Sequence, residues 1–414
     1  MAISQNFPDE GPTLNLNFAG GKVLDPRITF SRTSVGTYMD ADGLVSTAST
    51  DSPRFDHRYV NGEIESLGLL VEESRENLVD YSESFDSWNS GNVDIGINTT
   101  TAPDGTQNAD SLIERDLNYT GGAYRRKSVS IGSAYSGKLT FSVFLKSAEV
   151  TTVGLIIDIP ELSDPRANVN LTSSTTSGSG TNSTYVVESF PNDWKRVSLT
   201  TTNSLSSYTG SFLVALYLNG YVGFDNTGNS GDKVFVWGAQ LEKGAFPTSY
   251  IPTSGSTKTR SPDNVSMTGT NFSDWFNSSE GTLYVRANTD AGVGVRGVAA
   301  INRPSNFSND RVDIRYNQSV NSRGQFNSGT LTRTSGFDFY NPKFILSYEE
   351  NFRAYGINAD ITQSTSSFTP STNVDTLIIG NIDAGTNYYL CGTISQLTYY
   401  PTRLSNTLLQ NLTK

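Results

Sequence analysis

The chain has 414 residues, a formal net charge of −11, one His and one Cys. The acidic balance repels polyanions, which argues against nucleic acid or an anionic membrane as partner. The lone Cys391 excludes an intrachain disulfide framework or a cysteine-rich zinc site, and the lone His57 excludes His-paired metal motifs.

Only 36% of residues are hydrophobic and 17% charged, so Ser, Thr, Asn and Gly dominate the remainder. Together with 20 Tyr and 21 Phe this composition favours strands and turns over helices, and an all-β fold is expected. Met1 to Glu10 has no basic segment followed by an apolar one, so no signal peptide is expected there. The longest apolar stretch, Val153 to Ile159, is interrupted by Asp158 and is too short to cross a bilayer. A soluble protein made in a reducing cytoplasm is the expectation.

Residues 1–77 are rich in turn signals such as Asp9-Glu10-Gly11-Pro12 and Ala41-Asp42-Gly43, with short alternating pieces such as Leu14 to Phe18. They read as a loop-rich β region for attachment or self-association. Leu69 to Leu78 is ambiguous between a strand and a helical turn or two. Residues 78–254 carry regular strand patterns: Leu139, Phe141, Val143 and Leu145 alternate, as do Val197 and Leu199, while Phe212 to Leu218 and Val234 to Leu241 are apolar on both faces. These describe a jelly-roll β-sandwich. The Ser/Thr/Gly/Asn tract Leu171 to Thr184 reads as a hairpin tip or loop.

Pro252 to Pro262, small and polar between two prolines, looks like a domain linker. Residues 262–414 resume the strand rhythm as a second sandwich. Leu404, Leu408 and Leu412 recur at spacing four behind Ser405, which predicts a short N-capped terminal helix.

Several residues invite a chemical reading. His57 beside Asp56 could form a relay with a distant Ser, but strand neighbours point to opposite faces, so a structural role is expected. Glu72 and Glu73 are paired carboxylates, yet adjacent residues seldom face one sugar as glycoside hydrolysis requires, and Arg75 is close enough for ion pairing. Gly292 to Gly297 superficially matches a dinucleotide fingerprint, without the helix that such a site needs. No catalytic residue is assigned, and no cofactor is expected. Asp225 to Asn229 could offer oxygen ligands to Ca²⁺, although no run has the spacing of a calcium loop. Sugar recognition needs exposed aromatic faces beside hydrogen-bonding groups. Tyr119, Tyr124 and Arg125 are one such group, and Asn387, Tyr388 and Tyr389 a second.

The opening of the chain carries a recognisable set of residues. Leu24 to Arg32, Thr37-Tyr38, Asp42-Gly43, Pro53 to His57, Gly68 to Glu73, Arg75, Asn77-Leu78 and Tyr81 to Glu83 together resemble the opening of tailed-phage virion structural proteins of the fibre or appendage type. Ala102 to Thr106, Phe141 to Lys146, Asp193 to Ser198, Val236 to Glu242 and Thr248 to Thr253 continue the likeness into a carbohydrate-binding-module-like sandwich. Gly281 to Val285, Gly392 to Tyr400 and Leu404 to Thr413 resemble a concanavalin A-like, laminin-G-like lectin sandwich.

The resemblance implies a virion protein that binds host-surface polysaccharide, assembles with other virion proteins and forms a homotrimer. It is compatible with a structural Ca²⁺. A capsid decoration or head-fibre protein is the alternative. A depolymerase tailspike is disfavoured because no β-helix repeat runs along the chain. Leu14, Leu16, Phe18, Leu69, Leu70 and Val71 are more apolar than an extended segment buries alone, which also points to self-association.

Overall fold

The computed structural model describes residues 11–414, apart from 116–121, 164, 177–181, 221–228, 290–293, 307, 309, 318–320, 327–328, 334–340 and 384–387. The fold is all-β, as expected, with a short C-terminal helix. Among the described residues no helix is long and apolar enough to cross a membrane.

One sandwich is built from two six-stranded antiparallel sheets. Sheet I runs, in spatial order, Ser183–Ser189, Lys195–Thr201, Leu139–Ser147, Lys233–Lys243, Ala109–Glu114, Val93–Thr100. Sheet II runs Thr175–Thr176, Arg166–Asn170, Thr152–Asp158, Leu205–Leu218, Tyr124–Gly137, Asn89–Gly91. Alternation decides which side chains meet between them. Leu139, Phe141, Val143 and Leu145 enter the shared core with Leu155, Val214 and Leu216. The residue between two of these, Phe144, turns outward and packs with Trp194, Trp237, Tyr250 and Val45. Much of the outer face of sheet I is therefore covered. The expected hairpin in the Ser/Thr tract begins as Thr175–Thr176 folds back on Arg166–Asn170.

The second sandwich is composite. Its eight-stranded sheet takes Leu14–Asn17, Phe55–Val60 and Glu63–Val71 from the start of the chain and Gly281–Thr289, Lys343–Glu349, Phe352–Ile357, Asp360–Ser364 and Gly392–Tyr400 from the end. The facing seven-stranded sheet likewise joins Thr29–Ser31 to Asn264–Thr268. The strand pairing thus divides the chain differently from the expected regions 1–77, 78–254 and 262–414. Leu14 lies opposite Tyr399, and Leu69 opposite Ile394.

Leu14, Leu16, Phe18, Leu69 and Val71 are buried in the core between these two sheets, and Leu70 is also buried. Their apolar faces are covered within the chain, so they supply no reason for self-association. Leu69 to Leu78 resolves into strand, Glu63–Val71 and then Arg75–Asn77. The terminal helix Asn406–Leu412 is capped by Ser405, whose hydroxyl accepts from Leu408 N at 3.4 Å. It docks Leu409 on Tyr284, Ile345 and Tyr400.

The segment read as a linker is a bonded strap. Lys258–Arg260 pairs with Arg75–Asn77, Tyr81 bridges to Ser254, and Arg260 is only 1% exposed. Small polar residues between prolines fit a linker, but here they end in an arginine that two buried acids hold.

Candidate functional site

The recognisable opening residues converge on a buried ionic cluster where the two sandwiches meet. Arg54 reaches Glu72 at 2.7 Å and Asp263 at 2.5 Å; Arg32 reaches Asp263 at 3.0 Å, and Arg260 reaches Glu72 at 3.5 Å. Ser249 donates to Glu72 from its backbone N at 2.8 Å and its hydroxyl at 2.7 Å. Burial alone would raise the Glu72 carboxyl, but Arg260, Arg54 and Ser249 outweigh it and hold it at about 2. Glu73 faces Arg75 at 2.5 Å and Arg296 at 3.2 Å. The two carboxylates are therefore held by different arginines, as the ion-pair reading expected, with Glu72 sealed from any sugar.

His57 is also structural. A bulge between Asp56 and His57 breaks the alternation, so both side chains bond the backbone of one residue. Asp56 accepts from Met39 N at 2.8 Å, and His57 Nδ1 donates to Met39 O at 3.0 Å. His57 Nε2 is buried without a partner among the described residues, and burial lowers the pKa of the ring. Of the glycine run, Gly292 and Val293 lie outside the described residues, and Val295 opens a strand where a dinucleotide fingerprint needs a helix. Asp225 to Gly228 lie outside the described residues, and Asn229 donates its backbone N at 2.8 Å and its Nδ2 at 3.2 Å to Asp232 Oδ2. Among the described residues no group of three or more His, Cys, Asp or Glu comes together to hold a metal.

The proposed sugar residues scatter. Tyr119 and Asn387 lie outside the described residues. Arg125 turns into the sandwich, 6% exposed, and donates to Trp88 O at 2.9 Å and Val93 O at 3.3 Å; burial lowers its pKa. Tyr389 is buried and donates to Asn264 Oδ1 at 3.0 Å, with its hydroxyl pKa raised by burial. Tyr388 is half-buried against Ala300, Ile378 and Ile382, with Arg315 5.8 Å from its ring centre. Among the described members, Tyr124 and Arg125 point to opposite sides of sheet II, and the half-buried Tyr388 stands beside the buried Tyr389.

Tyr124 does face outward, and its neighbours across sheet II make a site that the sequence reading missed. Tyr124 pairs with Tyr217, and the ring centres are 5.3 Å apart at 44°. Two residues along the same strand, Arg126 lays its guanidinium over the Tyr124 ring at 5.1 Å. On the other side Tyr124 pairs with Gly91, where a Cβ would come within 2.5 Å of the ring, so glycine lets the ring lie close to that strand.

The register sets Arg126, Ala215, Ile156 and Arg166 in one row across four strands, and Tyr124, Tyr217, Gly154 and Asn168 in the next. Tyr124, Tyr217, Arg126 and Arg166 are half-buried, whereas Ala215 and Ile156 form a buried apolar floor. Ser128, Ser130 and Ser211 extend the face as exposed hydroxyls. Flat rings, a fork of N–H donors and small hydroxyls can stack and hydrogen-bond a polyhydroxylated ligand. One signal for Arg126 was present in the sequence: in a strand, the residue that shares a face with Tyr124 is two away, not one.

No family model and no curated protein matches the chain. Among solved structures it is similar to the CBM40 of Ruminococcus gnavus IT-sialidase bound to alpha2,3 sialyllactose, at 14% identity over 33% of this chain and 84% of that one, with a TM-score of 0.31. A putative carbohydrate binding protein from Bacteroides ovatus aligns at 10% identity over 72% and 80%, with a TM-score of 0.27. Mouse laminin alpha1 chain domains LG4-5 align at 10% identity over 70% and 92%, with a TM-score of 0.23. At such low identities and scores, what those proteins bind carries nothing over to this chain.

Proposed function

We propose that this protein is a non-enzymatic glycan-binding component of a phage virion, of tail-fibre or appendage type, which holds sugars on the outer face of sheet II. The glycan reading is carried by the paired Tyr124 and Tyr217 rings with Arg126 set over them. Much of the outer face of sheet I is covered by Phe144, Trp194 and Trp237, whereas sheet II sets the half-buried Tyr124 and Tyr217 rings side by side. The virion reading rests on the resemblance of the opening residues to tailed-phage proteins. A homotrimer rests on that resemblance alone; three weak sugar sites in one assembly would gain from avidity.

The test is titration calorimetry against polysaccharides extracted from bacterial envelopes. Tyr124→Ala and Tyr217→Ala should each weaken binding about tenfold, equivalent to about 1.4 kcal/mol. Binding that is unchanged in both variants would remove the site from this face. No release of reducing ends should accompany binding.

A further inference from the structure

Several cations among the described residues are spent on carboxylates. Arg32, Arg54 and Arg260 serve the buried cluster, Arg75 and Arg296 serve Glu73, and Lys127 serves Asp80 at 2.8 Å. Arg126 is different. Among the described residues its guanidinium pairs with no carboxylate and donates no hydrogen bond; it lies over the Tyr124 ring. It stands on the apolar floor of Ala215 and Ile156, with Arg166 three strands away, about 14 Å between backbones. The carboxylate that the register places nearest is Asp158, exposed, in the row beyond Ile156 and opposite Leu213.

A guanidinium already stacked on an aromatic ring loses little freedom on binding, and its outward N–H groups form a planar fork. A planar carboxylate meets that fork with two parallel hydrogen bonds. A sulfate ester also accepts two N–H donors of such a fork, but its third oxygen calls for a further donor. Building on the glycan reading, we propose that the sheet II face takes a saccharide of the uronic acid class, with Arg126 holding the carboxylate while Tyr124 and Tyr217 carry the apolar side of the sugar ring.

The experiment uses the full chain on an array of galacturonan, glucuronan, alginate and hyaluronan oligosaccharides, each beside its carboxyl-reduced neutral counterpart, with sulfated galactans as a further arm. At least one uronate should bind ten times more tightly than its reduced form, and raising NaCl from 50 to 300 mM should weaken it, because partly exposed charges are screened. Arg126→Gln should abolish the difference between acid and neutral forms, whereas Arg126→Lys, which keeps the charge but not the fork, should retain part of it. Unchanged urea midpoints of both variants establish that the fold is intact. Equal binding of acid and neutral forms, preference for the sulfated arm, or indifference to Arg126→Gln overturns the uronate assignment while leaving glycan binding standing. No binding to any arm, neutral sugars included, overturns both.

Discussion

Replacing Asp263 by Asn should be among the most damaging isosteric changes available to this chain. Its side chain is fully buried; it meets Arg32 at 3.0 Å and Arg54 at 2.5 Å, lies 4.0 Å from Arg260, and accepts Glu72 N at 2.9 Å. The cluster holds three guanidiniums against the carboxylates of Glu72 and Asp263, so it already carries one excess positive charge. The amide keeps the shape, removes one of the two anions and turns a donor toward guanidinium donors. Breaking a buried pair in this way costs about 3–5 kcal/mol, because the orphaned charge stays out of water. The matched control is Asp25→Asn, which breaks the partly exposed Asp25–Arg27 pair at 2.8 Å and should cost at most about 1 kcal/mol. Urea unfolding followed by tryptophan fluorescence measures both. A lower midpoint at unchanged slope is the expected signature for Asp263→Asn. If its loss is no larger than that of Asp25→Asn, the cluster does not hold the sandwiches together as argued.

Two further outcomes follow from the same geometry, and a third from the resemblance of the opening residues. Glu72 is held at about 2 in the fold against an ordinary value of 4.5, so the unfolded chain binds its proton first. The stability it contributes is complete above about pH 4.5 and is lost as pH falls toward 2, on the order of 3 kcal/mol, and Glu72→Gln should remove that acid limb from urea midpoints measured between pH 5 and 2. Native trypsin digestion should leave the strap between Pro252 and Pro262 uncut at Arg260, which is 1% exposed; early release of a fragment starting at Ser261 would show that the strap is a free linker. Light scattering at micromolar concentration should give a trimer, and a monomer at physiological salt would dismiss that assembly.

The local grammar of this fold is legible in the sequence, and its long-range pairing is not. Period-two alternation identifies Leu139, Phe141, Val143 and Leu145 as one buried face, and the leucine spacing behind Ser405 identifies the terminal helix. Alternation tells which face of Leu14–Asn17 is buried, but not that it is buried against Tyr399, almost the whole chain away. The composite sandwich was invisible for that reason. The site shows the same division. Tyr124 with Arg125 pairs neighbours in sequence, which a strand sends to opposite faces, so one joined the surface and the other the interior. Arg126 could have been found by counting two residues. Tyr217 could not, because it enters through cross-strand register.

The residues that make this chain recognisable are therefore not the residues that would choose its ligand. Arg32, Arg54, Glu72, Arg75 and Asn77 lie in the resembling segments, and every one of them is buried at the junction of the two sandwiches. A change in any charged member leaves a charge in a place that water cannot reach, so the set is constrained as a unit. Tyr124, Arg126 and Tyr217 lie outside those segments, on a face where substitution removes a contact without opening a core. Tyr124→Ala should accordingly lose sugar while keeping its urea midpoint within about 1 kcal/mol of the parent, whereas Asp263→Asn should lose the fold before it loses the sugar. A midpoint for Tyr124→Ala as low as that of Asp263→Asn would mean that the aromatic face belongs to the frame, and the separation of frame from site would fail.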